Sequence, residues 1–191
     1  MIKHIIRLNV LAIPDEHIER AFKHLRGLRS HDAISVLKTW ANGWCTSDRF
    51  HENVLLPCLF GCVGAHDKQS HYCMCPNLYA TQLYLWHPSE VSDKPICRLG
   101  LLRPNLDCLK MVASTFSAYH NLKFTNAARF QASGDLDPSQ PLTQQVQLQF
   151  LGSFAEVFQT EAIELGCSAR CFDPVEFTRF VNGQCALALP Q

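Results

Sequence analysis

The sequence predicts a mostly α protein, a small helical domain in which one short Cys/His-rich segment stands between helices. Three observations predict it. Apolar residues recur at helical spacing in several separate stretches, and those stretches open and close on capping or breaking residues. Between them, Cys58, Cys62, His71 and Cys75 fall within 18 residues, at a spacing from which a metal ion is usually held. The 191 residues suffice for one ordinary domain or two small ones, and an apolar fraction of 47% is enough for a packed core.

From residue 14 to 28 the apolar positions are Ile18, Ala21, Phe22, Leu25 and Leu28, with Asp15 and Glu16 in the first turn, where the helix dipole favours anions. Gly27 loosens the end of this helix. Ser30 is a good cap for a second one, whose expected apolar stripe is Ile34, Leu37, Ala41 and Trp44. Residues 45 to 57 read as a connector. After the cluster, Pro76 suits the first turn of a third helix, with Leu78, Tyr79, Leu83 and Trp86 as its buried face and His87-Pro88 as its stop. A loop is expected through Pro104. Leu109, Val112, Phe116 and Tyr119 then repeat at helical spacing from Asn105, and the Pro/Ser/Asp-rich run 133 to 141 is the best subdomain boundary. Val146, Phe150, Phe154, Val157 and Phe158 make a further helix that ends at Gly166; the stretch from Cys167 onward is ambiguous. The expected units are 1–56 (helical), 57–90 (the cluster and its following helix) and 91–191 (helical).

The cluster reads Cys58-Leu-Phe-Gly-Cys62, eight residues, His71, three residues, Cys75-Pro76. A turn containing Gly61 lets both sulfurs of the first pair face one centre, and His71 and Cys75, four apart, are expected on one face of a helical turn. The polar stretch from Val63 to Ser70 runs as a loop over the ion. Three thiolates and an imidazole close a tetrahedral zinc site with no open position for substrate, so the expected ion is structural and the pattern is a CCHC zinc knuckle. Cys73 in place of Cys75, or His66 in place of His71, are alternative ligand sets. Buried cysteines packing as small hydrophobes are the alternative to any metal at all. Cys167 and Cys171 have only Cys185 as a further ligand nearby, a weak second site; Cys45, Cys97 and Cys108 read as core or incidental thiols.

Ten cysteines with no secretory-type N-terminus point to an intracellular, reducing compartment, nucleus or cytoplasm, where thiols serve as ligands or core residues. The net charge of zero hides an asymmetry. Residues 1–130 carry 15 Lys/Arg against 10 Asp/Glu, and residues 131–191 carry 2 against 7. The cluster lies in the basic part, which is compatible with phosphate contact but weaker than a dedicated nucleic-acid footprint.

The line Trp40-Ala-Asn-Gly-Trp44 through Arg49-Phe50, then Cys58-x3-Cys62, His71-x3-Cys75-Pro76 and Trp86, resembles the zinc-binding region that follows the polymerase domain of non-LTR retrotransposon reverse transcriptases. The resemblance covers roughly residues 20–90. It implies that Cys58, Cys62, His71 and Cys75 are zinc ligands, that the preceding helices are thumb-like or linker-like, and that the knuckle helps grip template RNA or target DNA. The polymerase residues do not carry over: no paired aspartates on a turn and no fingers or palm precede the helices. The Gly-x-Ser-x-Gly, phosphate-loop and His-Glu-x-x-His patterns are also missing. The expectation is therefore a non-enzymatic module that binds RNA or single-stranded DNA through Arg49 and Lys68, with Tyr72 or Phe60 stacking on bases. Its rivals are a zinc-stabilised protein-interaction module, or retroelement remnant, and an enzyme with a thiol nucleophile.

Overall fold

The computed structural model describes residues 13–51, 55–86, 95–127, 142–167 and 169–187, and among these the chain is mostly helical. Helices α1 (Asp15–Leu25) and α2 (Ser30–Trp40) lead into the connector; a single turn, α3 (Gln69–Tyr72), and α4 (Pro76–Trp86) flank Cys75. The expected loop before Pro104 contains a short helix, α5 (Pro95–Arg98). A long helix, α6 (Leu106–Leu122), then runs on into a π-helical turn, Lys123–Ala127, before α7 (Gln144–Glu164) and α8 (Pro174–Leu187). The 133–141 boundary lies outside the described residues.

Helix α6 is the axis of the fold. Asn105 caps it, its side chain accepting from the Cys108 amide at 2.8 Å. Its buried residues point to more than one side, as befits a helix surrounded by others. Leu109, Val112 and Ala113 join an apolar cluster with Ala21, Leu25, Val36 and Trp40 of α1 and α2. Met111, Phe116, Tyr119 and Leu122 join a second cluster with Phe150, Phe154 and Phe158 of α7, Phe177 of α8, and Trp44, Phe60 and Tyr72. That second cluster draws on all three sequence units. The three α7 phenylalanines have no exposed surface, and each such burial stabilises by roughly 1.5–3 kcal/mol. Helix α7 ends as expected: Gly166 takes φ +71°, and the amides of Gly166 and Cys167 return to the carbonyls of Ile163 and Ala162.

Helix α2 buries a different face from the expected one. Asp32, Ser35, Val36, Thr39 and Trp40 are inside, while Ile34 is 50% exposed. The polar members are satisfied along the helix and by Arg29 just before it. Ser35 Oγ donates to His31 O and Thr39 Oγ1 to Ser35 O, and the Arg29 guanidinium grips Asp32 at 2.6 Å. Ser30 is the first helical residue, not the cap. Helix α4 starts and ends where expected, but it buries Thr81, Gln82, Tyr84 and Leu85 beside Leu78, leaving Tyr79 and Leu83 half-buried.

One buried carboxylate joins four segments. Asp67 is fully buried and accepts from the Ser47 amide at 2.8 Å, the Tyr72 hydroxyl at 2.8 Å and the Tyr119 hydroxyl at 2.6 Å. Lys123 Nζ, itself nearly buried, completes the set at 2.9 Å. Burial beside this carboxylate drives the Tyr72 phenol well above its ordinary range, so it stays a donor. Removing one member of a buried ion pair strands the other charge. Asp67→Ala is therefore expected to cost about 3–5 kcal/mol in urea denaturation, and Lys123→Met a similar amount, because the three neutral donors fill the carboxylate's lone pairs but leave its buried charge unmet.

Candidate metal centre

The chain around the first cysteine pair is a tight hairpin. Pro57 and His66 form an antiparallel bridge, with Cys58 N–H donating to Ala65 O and Asp67 N–H to Leu56 O, both at 2.8 Å. Between these two bridged segments the backbone turns through Gly61 at φ +79°, where a Cβ would also come within 2.5 Å of the Gln147 side chain. Only glycine meets both conditions without strain. The turn is pinned from outside: Phe60 O accepts from Asn77 Nδ2 at 2.7 Å and from Gln147 Nε2 at 3.0 Å.

The second pair does not share a helical turn. His71 is in α3, but Cys75 is non-helical and stands directly before Pro76, the first residue of α4. A residue preceding proline is pushed out of the α region, so the chain breaks there and re-aims the Cys75 side chain. The outcome is a group in which one ligand atom from each of Cys58, Cys62, His71 and Cys75 lies within 4.8 Å of the others. His66 is exposed and Cys73 packs in the α1/α2 cluster, so neither belongs to it.

The geometry suits a metal ion. Cys62 and Cys75 sulfurs are 3.4 Å apart and those of Cys58 and Cys75 are 3.9 Å apart. A tetrahedral zinc with Zn–S bonds of about 2.3 Å needs sulfur–sulfur edges of roughly 3.8 Å. Nε2 of His71 is buried without a hydrogen-bond partner among the described residues, a ring nitrogen left open. The N-terminus of α4 supplies N–H donors to the sulfurs. Leu78 N–H reaches Cys75 Sγ at 3.3 Å, and the Asn77 amide faces Cys62, the way outer donors hold thiolate ligands.

Protonation follows from crowding. The Cys62 thiol is held far below its ordinary range because Cys58 and Cys75 donate to its sulfur, with His71 adding to the effect. Its donor Cys58 is pushed up to about 12, chiefly by Cys62, and Cys75 is driven well up by burial and then by its two sulfur neighbours. Three sulfurs this close cannot all ionise unless a cation sits among them.

Among the described residues one other group of ligand-type side chains converges, His31, Asp32 and Glu161, and there Arg29 already neutralises Asp32. Cys167 and Cys171 join no such group.

The expected nucleic-acid residues fare differently from the ligands. Tyr72 is 1% exposed and Phe60 not at all, so the expectation of either ring stacking on a base is corrected: both face the core, Tyr72 held by Asp67 and Phe60 edge-on to Phe154 at 5.2 Å. Lys68 pairs with Asp48 at 3.0 Å. Arg49 is exposed and donates only to the backbone carbonyls of Gly43 and Trp44. The sequence reading missed Phe50 and Phe124, 53% and 63% exposed, because periodicity assigns aromatic residues to the core by default.

A helical chain carrying a closely gathered Cys3His set able to take a metal ion is the class that this fold and centre define. No protein-family model, curated protein or solved structure matches it. No described helix is long and apolar enough to cross a membrane.

Near Arg49, His120 stacks on Phe116 with ring centroids 4.1 Å apart. Burial, then the charges of Lys38 and Arg49, lowers its pKa from 6.5 to about 4. The unfolded chain takes up this proton below about pH 6.5 and the folded chain only near 4, so stability is unaffected above 6.5 and falls as pH drops through that window. At pH 5 the loss is expected to be about 1 kcal/mol after allowing for partial exposure, and His120→Leu removes it in paired urea melts at pH 7 and 5.

Proposed function

We propose that Cys58, Cys62, His71 and Cys75 hold one structural zinc ion, and that the protein is a non-enzymatic zinc-knuckle module that binds RNA or single-stranded DNA. The observation that carries the metal assignment is the mutual approach of the four ligand atoms, within 4.8 Å of one another, from the hairpin and from the stretch that follows it. Three sulfurs and one imidazole select zinc over hard cations, and four protein ligands leave no position for a catalytic water. The resemblance of residues 20–90 to the zinc-binding region of non-LTR retrotransposon reverse transcriptases supports a nucleic-acid partner. So does the excess of basic residues over the first 130, together with exposed Arg49.

A protein-interaction module is the competing reading, and the observation in its favour is that Val63 and Met74, either side of His71, are 81% and 60% exposed. The two diverge in salt.

Elemental analysis of protein purified without chelator is expected to find one zinc per chain, lost in Cys58→Ser and in Cys75→Ser. Protein that carries no metal, or that keeps its zinc in both variants, would overturn the assignment. In fluorescence anisotropy with labelled single-stranded RNA and DNA, binding is expected at low salt and to weaken steeply as salt rises. Absence of saturable binding at low salt would favour the protein-interaction reading.

A further inference from the structure

Two large aromatic side chains stand open to solvent on the side of the molecule where α2, the connector and the end of α6 meet. Phe50 is 53% exposed in the connector turn, and Phe124 is 63% exposed in the π-helical turn that prolongs α6. An exposed phenylalanine loses the burial that would stabilise it, and two in one neighbourhood call for an occupant.

Their surroundings say which occupant. The Arg49 guanidinium lies over the Phe50 ring, 5.4 Å from its centroid, and Lys38 Nζ stands 5.8 Å from the centroid of Phe116. His120 connects the two sides: it stacks on Phe116 at 4.1 Å, its ring is 6.0 Å from Phe124, and it lies close enough to Lys38 and Arg49 to feel both charges. Lys38 and Arg49 are exposed and have no carboxylate partner among the described residues. The nearby acids are already committed, Asp67 to Lys123 and Asp48 to Lys68. The patch is thus cationic and aromatic together, with a neutral imidazole between.

We infer that Phe50 and Phe124, with Lys38, Arg49 and the ring of His120 around them, form the face on which unpaired bases of a single-stranded nucleic acid stack while its phosphates meet the two cations. An acidic peptide would use the charges but leave the flat ring faces idle, and a duplex keeps its bases stacked on one another; a single strand uses both features. This inference rests on the nucleic-acid reading proposed above. It replaces Lys68 and Tyr72 by Phe50, Phe124 and Lys38 beside Arg49, and it leaves the metal a supporting role.

The test uses the full chain loaded with zinc, and labelled single-stranded oligo-dT and oligo-U, with a duplex of equal length as comparison. Phe50→Leu and Phe124→Leu keep apolar bulk but remove the ring; each is expected to weaken single-strand binding by about tenfold while leaving the melting temperature unchanged. Lys38→Ala is expected to reduce the slope of log affinity against log salt by about 0.7. Wild-type binding that these three variants leave intact would overturn this face and still leave the nucleic-acid reading standing. Equal affinity for duplex and single strand, insensitive to the two leucine variants, would also overturn it, since only charge would then be at work. Wild-type protein that binds neither oligonucleotide at low salt would overturn the broader reading and this inference with it.

Discussion

A carboxylate with no solvent contact is costly unless its lone pairs are filled and its charge is met, and Asp67 meets both conditions only when four separate segments are in place. The connector brings the Ser47 amide, the single turn α3 brings Tyr72, the end of α6 brings Tyr119, and the π-helical turn brings Lys123. Trp44 lies 4.5 Å from Tyr119 and 5.6 Å from Tyr72, sealing this polar group from water. Lys123 meets the charge and the three neutral donors fill the remaining lone pairs, so the four segments are expected to fold as one cooperative unit.

The candidate metal centre is held by the same stretch of chain, since Asp67 lies between the hairpin that carries the first two cysteines and the turn that carries His71. It is not a pendant finger. Cys58 and Cys75 have no exposed surface and belong to the larger apolar cluster, the carbonyl of Phe60 is clamped by donors from α4 and α7, and Arg98 donates to the carbonyl of Cys75 at 2.8 Å. Small knuckles that lack a core depend on the ion for their fold. Here a core already surrounds the four side chains, and an ion held among them would add a tie between its hairpin and its helices.

How much of this was legible in the residues can be judged element by element. Helix α6 was, because Leu109, Val112, Phe116 and Tyr119 are apolar and at one spacing. Helix α7 was too, because Gly166 marks its end. The four ligands were legible as a spacing, though the break at Cys75 is a local effect of Pro76 that spacing does not convey. The buried face of α2 was not. Hydropathy puts Asp32, Ser35 and Thr39 outside, whereas hydrogen bonds along the helix and from Arg29 let them go inside and leave Ile34 in water. Tyr72 misled for the converse reason: a ring beside a ligand looks available for stacking until its hydroxyl is seen to be committed to Asp67. Lys123 and Asp67 lie 56 residues apart, a pairing that no local pattern announces.

The four ligands differ in how far solvent can reach them. Cys58 and Cys75 are closed off, whereas Cys62 and His71 keep part of their surface at the protein boundary. That side is the doorway of the centre. An ion or chelator arriving from solvent would reach Cys62 and His71 before the two inner sulfurs.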